Sequence, residues 1–232
     1  MTNEESSFVK DILGNSSEES LPLFIFYGIA ALLVSYHAVV YLILDADSIS
    51  ERNAIDQWDV SFNQTIIESS ESAFIQSETV SFELEIDADI LSQHHGFGIL
   101  EVQISYTETS GILFDGCDSV SATLQPTGAQ AQWQYESNNL SGTSDDCSVI
   151  FLELLVYPDY NSANISVAGS TPEVITQSWS DKSHGLGTFT LDVDVSSSSP
   201  APPPAPQDNG EEITVIWSPV FFDVNVEASP SV

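Results

Sequence analysis

Residues 21–44 read LPLFIFYGIAALLVSYHAVVYLIL, a run of 24 residues without a charge. As a helix it is about 36 Å long, enough to cross a hydrocarbon core of ~30 Å with some tilt. Its start is marked by Ser20 as a capping residue, Glu18 and Glu19 at the positive end of the dipole, and Pro22 in the first turn. Asp45 and Asp47 end it abruptly. A cleaved signal peptide fits poorly, because the apolar run exceeds the usual ~7–15 residues and the preceding 20 residues are acidic rather than basic. The segment predicts one transmembrane helix.

Gly28, Ala31, Ser35 and Ala38 recur along it at spacings of three and four, which puts small side chains on one face. Such a stripe suits close approach of a second helix, from a partner or another copy; the alternative is ordinary small-residue content of a membrane span. His37 lies nearly opposite the stripe and reads as a neutral imidazole in the company of Tyr36 and Tyr41.

Beyond the helix the period changes from 3.6 to 2. In ETVSFELEIDAD, residues 78–89, Val80, Phe82, Leu84 and Ile86 alternate with Ser81, Glu83, Glu85 and Asp87. Leu100, Val102, Ile104 and Tyr106 repeat the pattern, as do Phe189, Leu191, Val193 and Val195. Further strands are expected near 120–125, 131–136, 148–157, 164–168 and 173–179. The nearly continuous apolar run 148–157 is expected to be a central strand buried on both faces. One wet face per strand predicts antiparallel sheets, and about eight short strands predict two of them packed as a sandwich.

The organisation expected is an acidic cytoplasmic tail (1–20), the transmembrane helix (21–44), a juxtamembrane stalk (45–55), a β-sandwich (56–195), a Ser/Pro-rich linker or loop (196–210) and a C-terminal segment (211–232). That last segment is too short to fold alone and is expected to return as edge strands or to pair with another chain.

The chain has 35 acidic and 3 basic residues, a formal net charge of −32. Such a surface repels phosphates, which excludes nucleic acid as a partner. Cys117 and Cys147 are the two cysteines, and an isolated pair in an exported domain predicts a disulfide. Lys10 and Arg52 flank the helix so evenly that charge barely sets its orientation. Glycosylation acceptor patterns at Asn63, Asn139 and Asn164, with the cysteine pair, place the C-terminal domain outside and the N-terminus inside.

Chemistry-bearing motifs are few. His95-Gly96-Phe97-Gly98 echoes His184-Gly185-Leu186-Gly187. One reading is a metal site built from His94, His95 and His184; the other is turn grammar, with glycine supplying positive φ. Asp87, Asp89, Asp115 and Asp118 are candidate oxygen ligands, which makes Ca²⁺ the alternative to an expectation of no cofactor. No nucleophile elbow, S-x-x-K arrangement or phosphate-cradling loop is present, so a non-enzymatic role is expected.

The 21–44 helix and the closing-strand pattern LGTFTLDVDV (186–195) resemble signal-anchored, immunoglobulin-like surface proteins. The resemblance implies an immunoglobulin-like sandwich that binds an extracellular protein or envelope component. The helix-then-sandwich layout is also similar to archaeal pilins and archaellum-associated proteins, which implies a filament-associated subunit as an alternative. A metal-dependent or glycan-acting ectoenzyme is the third reading.

Overall fold

The computed structural model describes residues 20–44, 56–76, 78–107, 117–196 and 210–230. The stalk, most of the Ser/Pro-rich linker and Asp115 lie outside them. The chain divides into two compact units, Met1–Ile55 and Asp56–Val232.

In the first unit, α1 (Ser20–Leu44) contains a span, Leu23–Ile43, of 21 residues with mean hydropathy 2.1. It is long and apolar enough to cross a membrane, and its large side chains, from Phe24 to Ile43, are exposed.

The second unit is mainly β and antiparallel throughout. One sheet runs β7 (Ile150–Leu155), β4 (Gly96–Thr107), β10 (Glu211–Ala228), β1 (Gln57–Ile66) and β8 (Ile165–Ala168), with β2 (Ser69–Ile75) also paired to β10. The other runs β3 (Thr79–Ile86), β9 (Gly187–Ser196), β5 (Ser119–Gln125) and β6 (Ser141–Ser144). The alternations at 80–86, 100–106 and 189–195 point inward as expected: Phe82, Ile86, Val102, Ile104, Leu191 and Val193 share one apolar cluster with Val215, Trp217 and Phe221 of β10. The two sheets therefore face each other across a common core.

The C-terminal segment departs from expectation. It forms one 18-residue strand at the centre of its sheet rather than edge strands. On one side β10 pairs with β4; on the other it pairs with β1 and β2 in a single register, Ile66 facing Val220 and Ser69 facing Trp217. The break between β1 and β2 falls opposite Pro219. Ile67 N–H donates to the Pro219 carbonyl (3.3 Å), but proline has no N–H to return the bond, so the ladder lapses there.

Three other expectations are corrected. The run 148–157 contributes β7, an edge strand with alternating burial, because Phe151 and Glu153 face out while Ile150, Leu152 and Leu154 face in. Its free edge is covered by the loop around residues 131–136, which is a turn and not a strand: Gln132 N–H donates to Leu155 O (3.0 Å), and Asn138 Oδ1 accepts from Leu155 N–H (2.9 Å). Residues 173–179 form a helix instead of a strand. The helix, Pro172–Ser178, is capped by Thr171 with Pro172 in its first turn, and these start signals outweigh the three β-branched residues Val174, Ile175 and Thr176. Two short helices result, α2 (Ala88–Ser92) and α3 (Pro172–Ser178).

Cys117 and Cys147 form a disulfide joining the start of β5 to the β6–β7 turn. Beside it the buried Tyr106 hydroxyl donates to Asp118 O (2.9 Å) and accepts from Cys147 N–H (3.1 Å). Reducing the bridge is expected to lower stability by about 3–4 kcal/mol. Phe221→Ala, at a fully buried ring, is expected to cost about 3–5 kcal/mol. Phe151→Ala, at a ring that is 59% exposed, is expected to stay within about 0.5 kcal/mol. Denaturant titration of the full chain in detergent checks all three.

Candidate functional site

The histidines sit where β4 begins beside the far half of β10. Asp223 is the organising group. Its Oδ1 lies 2.8 Å from His95 Nδ1 and accepts from the His95 backbone N–H (3.0 Å), while its Oδ2 lies 3.3 Å from His94 Nδ1. His94 stacks on Phe221 with ring centroids 5.0 Å apart, at the end of the main core. Lys182 donates to the carbonyls of His94 and His95, at 2.9 Å for the latter, and so ties the segment after α3 to the turn before β4. Burial lowers the Lys182 pKa, opposed by the nearby Asp223 carboxylate. Burial raises that of Asp223, but hydrogen bonds from His95 and His94 outweigh it and hold the carboxyl below its usual value.

His184 pairs instead with Asp181, Nε2 to Oδ2 at 3.7 Å. Among the described residues no group of three or more His, Cys, Asp or Glu side chains comes together to hold a metal ion. Asp87 caps α2, its Oδ1 accepting from Ile90 N–H (2.8 Å); Asp89 is exposed in the same first turn; Asp118 is buried under Tyr106. No hydroxyl or thiol among the described residues is hydrogen-bonded to the His94 or His95 ring. Asn63, Asn139 and Asn164 are all exposed, and Asn139 Nδ2 donates to Phe151 O (2.6 Å). The small residues Gly28, Ala31, Ser35 and Ala38 are exposed along α1.

The glycine echo has a structural account. Val220 of β10 faces Ile99 and Phe221 faces Phe97, so Gly98 is the extra residue of a bulge. Its carbonyl accepts from Val156 N–H (2.9 Å) and Tyr157 N–H (3.2 Å), and the Tyr160 ring lies on it where any side chain would collide. Gly185 has φ +84° and packs against Phe97. Both are positions that favour glycine, one by close approach and one by backbone angle.

The bulge positions a feature that sequence reasoning missed. On the outer face of the larger sheet a second cluster gathers Phe62, Tyr157, Tyr160, Trp179 and Phe222. Tyr160 stacks on Phe222 (4.6 Å) and Tyr157 on Trp179 (5.6 Å). A cleft of about 430 Å³ opens beside it, lined by Tyr157, Trp179, Asp159, Asp181, His184 and the edge strand's Ile165 and Val167. The Tyr157 hydroxyl donates to Ser178 O (3.0 Å) and accepts from Asp181 N–H (3.1 Å). The Ser183 backbone N–H and hydroxyl hold the Asp181 carboxyl below its usual pKa. The one local signal was the turn dipeptide Pro158-Asp159.

No family model matches the chain, and no curated protein matches it. Solved structures similar to it include a chain of Desmodium yellow mottle tymovirus (12% identity, TM-score 0.30, covering 72% of this chain and 92% of that one). A chain of the semi-empty virus-like particle of giant freshwater prawn Macrobrachium rosenbergii nodavirus is 11% identical (TM-score 0.30, 73% and 88% covered). A chain of mud crab tombus-like virus is 9% identical (TM-score 0.29, 72% and 92% covered). At this level of superposition they carry no argument about fold or role.

Because the Asp223 carboxyl is depressed on folding, it contributes stability above its unfolded value of about 3.9, and that contribution is lost as pH falls through the lower folded value. Asp223→Asn is expected to lower stability at pH 7 and to flatten the decline that sets in below about pH 4. Denaturant titrations of both proteins across that window check it.

Proposed function

We propose that the chain is a single-pass membrane protein whose β unit faces the extracytoplasmic side and acts there by binding rather than by catalysis. The observation that carries this reading is the uncharged span Leu23–Ile43, whose side chains are exposed along its length. An apolar surface of that length is costly in water and suits lipid. The disulfide Cys117–Cys147 supports an oxidising side for the β unit, and the exposed Asn63, Asn139 and Asn164 supply accessible acceptors there.

The immunoglobulin-like reading belongs to the same proposal. Two antiparallel sheets over one core support it; the pairing of the first strand with the last sets this chain apart from the usual immunoglobulin order. No catalytic role is assigned to the His95–Asp223 pair, which ties the turn before β4 to the central strand.

Protease added to intact cells is expected to degrade residues 56–232, with the helix remaining in the carbonate-washed membrane pellet. A protected β unit with both thiols reduced would reverse the orientation. Release of the intact chain by carbonate would end the membrane reading.

A further inference from the structure

The lining of the outer cleft differs in kind from the hydroxyl-rich surface around it. It combines an aromatic face, two carboxylates and a buried nitrogen. Trp179 is half-buried and stacks on Tyr157 at 28°, so the pair forms a rigid aromatic wall. Asp159 and Asp181 stand in the same lining. His184 Nδ1 is buried there without a hydrogen-bond partner. Asp159 has φ +59° in the turn Tyr157-Pro158-Asp159-Tyr160, which Tyr160 N–H closes on Tyr157 O (3.3 Å). A turn with proline second and a left-handed residue third takes glycine most easily, so this carboxylate is held at a conformational cost.

We propose that this cleft receives the charged end of an arginine side chain presented by a basic segment of another protein. A guanidinium stacks on an indole face and forms paired hydrogen bonds with carboxylates. The chain's net charge of −32 steers cations toward the surface, and the cleft gives one of them apolar walls and two carboxylates, of which Asp181 is held by the Ser183 N–H. The chain's own Lys182 is committed to the His94 and His95 carbonyls. Ile165 and Val167 belong to the edge strand β8, so the cleft opens where an extended partner segment can lie.

The proposal deepens the binding role given above, but its test does not depend on which side of a membrane the β unit faces. The full chain in nonionic detergent is titrated calorimetrically with acetyl-Gly-Arg-Gly-amide and with the same peptide carrying neutral citrulline. The arginine peptide is expected to saturate one site, and the citrulline peptide to bind about tenfold more weakly or worse. Asp159→Gly is expected to weaken the arginine peptide about tenfold while raising the melting temperature, because it removes a carboxylate and relieves the backbone. Asp181→Asn is expected to weaken binding similarly, and Glu83→Gln, on the remote exposed face of β3, to leave it unchanged. Equal binding of the citrulline peptide would overturn the cation assignment. Equal weakening by Glu83→Gln would show a diffuse field instead of a site. Equal affinity for free agmatine would give the cleft to a small amine and overturn the partner reading.

Discussion

The structure of the β unit depends on the backbone ladder of its last strand. Glu211–Ala228 hydrogen-bonds along both edges, to β4 on one side and to β1 and β2 on the other. Its side chains alternate between two apolar environments. Trp217 and Phe221 enter the core between the sheets, while Phe222 and Val224 pack on the opposite face among the second aromatic cluster. A strand that feeds two clusters cannot slip by one residue without exchanging their contents, so the register is strongly specified. Pro219 fits such a strand because its missing donor falls on the side of the β1–β2 break, where only one bond is lost.

The second constraint is the shortage of cations. With three basic residues, the surface cannot be held together by lysine and arginine pairs, and the ion pairs seen among the described residues all involve histidine. Hydroxyls and amides take the donor role. Ser81 and Gln125 donate to Asp192, Thr79 donates to Asp194, and Ser166 and Ser229 donate to Asp59. Each such bond satisfies a carboxylate without cancelling its charge. The fold is thus knit across its strands while its field stays strongly negative, and the same Ser/Thr-rich composition serves both ends.

What could be read from the sequence was what is local in it. The apolar span and the alternations at 80–86, 100–106 and 189–195 are patterns within one segment, and packing obeys them. The errors came where the deciding partner is distant. SVIFLELLVY looks buried on both faces because Phe151 is apolar, yet only its place in the strand order shows that this ring faces out. ITVIWSPVFF carries a proline that argues for an edge, and only the gap between β1 and β2 explains its place at the centre. Among the site residues, His94 and His95 are drawn together by Asp223, from a strand well over a hundred residues later. No spacing rule connects them.

The cleft follows from the same geometry. A sheet face bearing Phe62 and Phe222 must be covered, and the chain covers it with two turns and a seven-residue helix rather than a third sheet. The cover is anchored by polar bonds at its margins: Gly98 O to Val156 and Tyr157, the Tyr157 hydroxyl to Ser178 and Asp181, and Lys182 to the carbonyls before β4. Short elements fixed at their margins do not close over a flat aromatic layer completely, and the space left between them is the cleft. One wall, Tyr157 and Trp179, packs against Phe222 of the central strand, the other is the edge strand β8 paired to β1, and the rim is acidic because acids dominate the charged residues of the chain. A preorganised apolar wall beside two carboxylates is where the diffuse negative field of this protein becomes a specific one.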